Sequence, residues 1–247
     1  MHPSQHVLKN LWLNYKEPHV MHRVLHYADH YESHLPQPGR NVRMLEIGVQ
    51  SGGSARSWKQ YYGANLYYVG LDINPATRRS QSEKENMFVE IGSQMNASRL
   101  HEVCALHGPF DVVIDDGGHA ARMITASLQA IFPHEGCMTT NGVYVVEDAC
   151  TMMSKRYAPD PRQIYDLGGQ AWWSMQAHTC TQKPRRPCCH PPHLDYDGKG
   201  AREHPTFRTN LVATHLYESL AFFQRGVQQD GVMLKRGTDE IPYMKGT

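Results

Sequence analysis

The residues of this 247-residue chain whose types and spacing suit chemistry are Asp115-Asp116-Gly117-Gly118-His119 and Glu147-Asp148. Four carboxylates brought together without a cation repel one another and are pushed toward the neutral form. A hard divalent cation, Mg2+ above all, satisfies them with oxygen ligands and leaves water positions that a substrate hydroxyl can take. On this reading all four carboxylates, Asp115, Asp116, Glu147 and Asp148, are candidates to hold it. His119 follows two glycines and stands just ahead of a helical pattern, whose dipole disfavours imidazolium and keeps a neutral base available near pH 7. Together these parts suit deprotonation of a hydroxyl held at the cation. For any one residue there is a plainer reading, with Asp115 capping the following turn and Glu147 solvated.

A second constellation is Leu45-Glu46-Ile47-Gly48-Val49-Gln50-Ser51-Gly52-Gly53-Ser54, which ends one apolar run and leads directly into a helix. Glycines at 48, 52 and 53 let the backbone turn sharply and approach a ligand, and the helix start supplies free N–H groups. Asp72 closes the next apolar run, 26 residues after Glu46, where a carboxylate can accept from ribose hydroxyls. The pattern is a nucleoside-binding one but not G-x-G-x-x-G, and an acid before the first glycine would repel a pyrophosphate. Glu46 suits instead a ligand with a cationic amino acid end, such as S-adenosylmethionine (SAM).

The elements that must position these residues are legible as an alternation. Apolar, β-rich runs at 42–49, 65–73, 86–92, 110–117 and 142–149 are separated by helical patterns over 53–62, 96–106 and 120–132. Near-continuous apolar runs are strands covered on both faces, so a parallel sheet is expected. Repeated β-α-β units define an α/β, doubly wound, Rossmann-like domain over residues 41–247, with the ligand crevice at the carboxyl ends of the strands. Residues 1–40 form a polar, helical lead-in. Seven prolines and several glycines interrupt the rhythm over 151–206, which is too long for a plain connector and is expected to be a lid or insertion. After it, 218–226 and 231–237 are expected to pair as antiparallel strands at the sheet edge.

LEIGVQSGGSARSWKQYYGANLYYVGLDI, GPFDVVIDDGGHAARMITASLQAIFP, GVYVVEDACT and ATHLYESLAFFQRG resemble, in order and spacing, the macrocin O-methyltransferase and cephalosporin hydroxylase-like group of class I SAM-dependent methyltransferases. The match covers most of 42–150 and 211–226, and its most specific parts are D-D-G-x-H and E-D. The resemblance implies a mostly parallel seven-stranded sheet with an antiparallel edge strand. It implies SAM at Glu46, Gly48 and Asp72, a divalent metal at Asp116, Glu147 and Asp148, and His119 as general base on a sugar or other small-molecule hydroxyl acceptor. Gly52, Gly53 and Asp115 are placed with the cofactor residues. Gly92-Ser93-Gln94 stands where the group usually carries an acid near adenine, so Ser93 and Gln94 are the expected contacts there. The resemblance also makes a homo-oligomer plausible. A different class of function that the same residues allow is a catalytically silent SAM-binding scaffold or sensor. A nicotinamide-dependent reductase would need the missing glycine fingerprint and a Tyr-x3-Lys pair.

Composition narrows the remaining choices. A formal charge of +1 gives no basic footprint for nucleic acid or an anionic membrane. No stretch approaches the roughly 20 apolar residues of a membrane span, and the first residues have no signal-peptide core, so a soluble, cytoplasmic protein is expected. The six cysteines do not follow disulfide-scaffold spacing, which favours a reducing compartment. Of the 16 histidines, His22, His26, His30 and His34 recur every four residues and would line one face of a helix. A polar helix face is a plainer reading of them than a metal stripe. His178, Cys180, Cys188, Cys189, His190 and His193 form a second concentration, but adjacent cysteines and a Pro-Pro between histidines are not zinc-finger spacing.

Overall fold

The computed structural model describes residues 6–149 and 210–227. The alternating runs become strands β1 (Val42–Ile47), β2 (Leu66–Asp72), β3 (Met87–Ile91), β4 (Phe110–Asp115) and β5 (Met138–Val146), joined by β6 (Leu211–Tyr217) and β7 (Leu220–Arg225). They form one sheet in the order β3-β2-β1-β4-β5-β7-β6. The first five are parallel, and β7 runs antiparallel to both β5 and β6. The helices are α1 (Val7–Leu13), α2 (Tyr27–His34), α3 (Gly53–Tyr62), α4 (Ala97–His107) and α5 (Ala121–Ile131).

Side-chain alternation along each strand divides the interior in two. Leu45, Ile47, Val69, Val113 and Tyr144 pack under α4 and α5 with Leu100, Ile124, Leu128 and Phe132. Val42, Met44, Tyr68, Val112, Val143 and Phe222 pack under α1, α2 and α3 with Leu8, Trp12, Tyr31 and Trp58. With a period of two, Glu46 follows Met44 onto the α1–α3 face, Glu147 follows Val143 and Val145 there, and Asp115 follows Val113 to the α4–α5 face. The reversal of strand order between β1 and β4 opens the crevice above these three carboxylates.

Three expectations change. The partner of β7 is β6, across the two residues Glu218 and Ser219, where Ser219 takes a left-handed φ of 62°. The expected strand at 218–226 contains β7, but the turn before it has no Gly or Asn to mark it, so its pairing with the preceding segment is not legible. The expected strand at 231–237 lies outside the described residues, as do the whole of the 151–206 insertion and the Cys/His concentration at 178–193 within it. The four-histidine stripe does not form. Helix α2 starts only at Tyr27, so His30 and His34 are helical, His26 sits at its N-cap, and His22 belongs to an irregular strap between α1 and α2. Finally, Cys104 and Cys137 are joined in a disulfide that ties the last turn of α4 to the start of β5, contrary to the free thiols that cysteine spacing suggests. Among the described residues no helix is long and apolar enough to cross a membrane.

Candidate active site

A cleft of about 840 Å³ opens along the carboxyl ends of β1, β2, β4 and β5. The half where the sequence leads a cofactor to be expected is built on the turn after β1. Gly48 has φ 94°, and a Cβ there would stand 2.2 Å from the Asp116 carbonyl oxygen, so the turn after β1 and the turn after β4 meet at backbone distance. Asp72 Oδ2 accepts from the backbone N–H of Val49 at 2.9 Å and of Gln50 at 3.0 Å, and Oδ1 accepts from Asn74 at 2.8 Å. A carboxylate has about four acceptor positions, so capacity remains for a ribose hydroxyl. Gly53, Ser93 and Gln94 also line this half.

Asp115 lies below the cleft floor, buried with Gln94, Ser127 and Tyr144. Gln94 Nε2 donates to Asp115 Oδ1 at 3.0 Å, and its Oε1 accepts from Gly118 N–H at 2.7 Å. Tyr144 donates to Asp115 Oδ2 at 3.0 Å, and Ser127 donates to the same oxygen. Burial raises the Asp115 pKa, against the pull of these donors. The network fixes the Gly117-Gly118 turn that carries His119.

In the other half, Asp116, His119 and Asp148 each offer a ligand atom, all within 4.8 Å of one another. His119 Nε2 stands 3.9 Å from Asp116 Oδ1 and 4.0 Å from Asp148 Oδ2. Both His119 (φ 55°) and Asp148 (φ 52°) hold left-handed backbone, which L-residues rarely adopt and which concentrates at functional sites. The Tyr27 hydroxyl, 3.0 Å from Asp148 Oδ1 and 3.1 Å from the Ser219 carbonyl, braces the second of these turns.

Glu147 and Glu46 share with Asp116 the face that strand alternation assigns them, and there they meet a residue that the spacing of motifs does not single out. Arg23, on the strap between α1 and α2, is only 2% exposed. Its Nη1 donates to Glu147 at 2.6 and 2.7 Å and to Asp116 Oδ2 at 3.0 Å, while Nη2 donates to Glu46 Oε1 at 2.6 Å and to Ser54 Oγ. Burial opposes its charge, but Glu147, Glu46 and Asp116 outweigh burial and hold its pKa well above the usual value. Tyr31 donates to Glu147, and Tyr68 donates to Glu46 Oε2 at 2.5 Å. A signal for Arg23 does exist: two acids on buried strand faces demand a cation from the covering layer, because an unpaired buried charge is prohibitively costly. The strap's lack of periodicity hides which residue supplies it.

Burial first, and then Glu147, push the Asp116 pKa well above the carboxylate range, while Arg23 opposes them. One guanidinium thus faces three carboxylates, Glu46, Asp116 and Glu147, and Asp148 stands beside His119 as a fourth. The negative surplus and the oxygen donors of Asp116 and Asp148, which converge beside His119, fit a divalent cation.

No family model matches the chain. Demethylmacrocin O-methyltransferase of Streptomyces fradiae is 30% identical over 213 residues, covering 83% of this chain and 50% of that protein. Mycinamicin VI 2''-O-methyltransferase of Micromonospora griseorubida is 30% identical over 216 residues, covering 83% of this chain and 49% of that protein. Among solved structures, the MycE methyltransferase of the mycinamycin pathway, in complex with Mg, SAH and mycinamycin VI, superposes with a TM-score of 0.69. Its identity is 26%, over 94% of this chain and 57% of that one. The fold is the α/β methyltransferase fold. In sequence the chain is a homologue of the macrocin O-methyltransferase-like group of SAM-dependent methyltransferases. The chain spans about half the length of the curated relatives it matches.

Proposed function

We propose that the protein is a SAM-dependent O-methyltransferase that acts, with a divalent cation, on a hydroxyl of a sugar or similar small molecule. The observation that carries this reading is the meeting of Asp116, His119 and Asp148 at one end of a cleft whose other end is the Gly48 turn and Asp72. The relatives named above, which are enzymes for macrolide acceptors, support the same reading. SAM supplies an electrophilic methyl group when bound, and the cation supplies positive charge that lowers the pKa of the acceptor hydroxyl.

The chain's own residues do the rest. Asp72, Ser93 and the backbone at Gly48 and Gly53 seat the nucleoside and the amino acid end, with Glu46 adding negative potential from below. Asp116 and Asp148 hold the cation. His119 Nε2, which faces both carboxylates, takes the hydroxyl proton, and the two anions favour the imidazolium that results. Glu147 backs the cluster from its place between Arg23 and Tyr31. Transfer at the sulfonium then depends mainly on in-line positioning within a walled cleft.

Replacing His119 with Ala should lower turnover by about 10²–10⁴ while S-adenosylhomocysteine still binds by calorimetry. Asp116→Asn should remove the response of the rate to added Mg2+. Undiminished methylation by both variants, on a panel of glycosylated acceptors, would overturn the mechanism.

A further inference from the structure

Arg23 is the one described cation that touches both halves of the cleft. Its two terminal nitrogens are divided between them: Nη2 goes to Glu46 and Ser54 beside the cofactor turn, and Nη1 to Glu147 and Asp116 beside the cation trio. The guanidinium is caged by indoles, with the Trp12 and Trp58 ring centroids 5.9 and 6.0 Å from Cζ. Trp12 comes from α1 and Trp58 from α3, so the cage is built by the lead-in and the domain together. The strap carrying Arg23 is itself seated tightly, since a Cβ at Gly53 would stand 2.3 Å from the Val20 carbonyl oxygen. This is more construction than charge neutralisation requires. One terminal nitrogen pointing at each half, in one rigid plane, sets the spacing between Glu46 and Glu147.

We propose that Arg23 is a positioning residue for the methyl-transfer site, and this rests on the function proposed above. The guanidinium plane fixes Glu147 and Oδ2 of Asp116, so that Oδ1 of Asp116 is left facing His119 and Asp148. The same plane ties that arrangement to Glu46 under the cofactor turn. The role belongs to the fork and not to the charge alone. A lysine ammonium is a single point on a flexible stem, and it cannot serve both halves at once.

Arg23→Lys, which keeps the buried charge, separates these roles, and Mn2+ binding followed by the free-ion electron paramagnetic resonance signal needs no acceptor. The lysine variant should keep a cooperative melt yet bind Mn2+ at least about tenfold more weakly than the parent, as loss of an outer partner to a ligand commonly does. Glu147→Gln should weaken Mn2+ binding as well. Adding Arg23→Lys to it should cost much less than it does in the parent, because the two residues act through one contact. A folded Arg23→Lys protein with Mn2+ affinity within about twofold of the parent would overturn the proposal and leave Arg23 a structural counter-ion. If the lysine variant does not fold, Arg23→Gln refolded with methylguanidinium carries the test: restored Mn2+ binding supports the fork, and a folded protein without restoration refutes it. A parent protein that binds neither Mn2+ nor S-adenosylhomocysteine would instead overturn the function, and this role with it.

Discussion

At the scale of single residues the site depends on places where backbone meets backbone. Gly48 is the sharpest, because its φ of 94° and the 2.2 Å approach of the Asp116 carbonyl leave no volume for a methyl group. Gly48→Ala should destabilise the protein by about 2–4 kcal/mol through strain and overpacking, measured by urea unfolding. It should also push the Asp116 turn outward, so S-adenosylhomocysteine and Mn2+ binding should weaken together. An alanine variant with parental stability and both affinities intact would show that the two turns are not coupled. Gly48 and the Asp-Asp-Gly-Gly-His turn were legible in the sequence because glycine beside acid at a strand end marks a tight turn that presents charge to a crevice. The Asp115 network was not, since nothing in the spacing of Gln94, Ser127 and Tyr144 announces that they share one buried carboxylate.

At the scale of elements, strands β1 to β4 and the helices between them followed from apolar runs and 3.6-residue periods. The pairing of β7 with β6 and the strap before α2 escaped, because a turn without glycine and a segment without a period carry no local signal. The histidines show what replaces the stripe. His30 stacks on Tyr217 at 3.7 Å and His34 on His215 at 4.1 Å, so one face of α2 is clasped to β6 by imidazoles. On the adjoining face of the helix Tyr27 and Tyr31 reach Asp148 and Glu147. Burial and then His26 hold the His30 pKa below the usual imidazole range, against Asp29, and burial, His215 and His30 do the same for His34. A base with a lowered pKa in the folded state favours folding only while it is neutral. That contribution is whole above the ordinary value of about 6.5 and is lost as pH falls from there through the folded-state value. The melting temperature should therefore fall between about pH 7.5 and pH 5.5, and less steeply in a His30→Gln/His34→Gln protein. Equal slopes in the two proteins would assign the pH dependence to other groups.

At the scale of the whole molecule the lead-in and the sheet share one interior. Leu8, Trp12, Tyr27, Ala28, Tyr31 and Leu35 are buried in the layer that covers Met44, Trp58, Val145 and Phe222. The larger of these side chains each contribute about 1.5–3 kcal/mol by leaving water, so their loss amounts to on the order of 10 kcal/mol, comparable with a domain's entire net stability of about 5–15 kcal/mol. Electrostatics adds to the deficit. Without the lead-in, Glu46 on the inner face of the sheet keeps Tyr68 and Ser54 as donors, whereas Glu147 loses both Arg23 and Tyr31. Breaking a buried pair in this way commonly costs about 3–5 kcal/mol. A chain beginning at residue 41 should therefore show no cooperative transition by calorimetry and no near-ultraviolet circular dichroism of packed aromatic side chains. It should also fail to bind S-adenosylhomocysteine, even though every carboxylate and the His119 turn are still present. A cooperative melt of that fragment would place the lead-in outside the folding unit. Failure to fold, reversed by adding residues 1–40 as a separate peptide, would show that the strap and its arginine complete the domain by packing and charge rather than by covalent continuity.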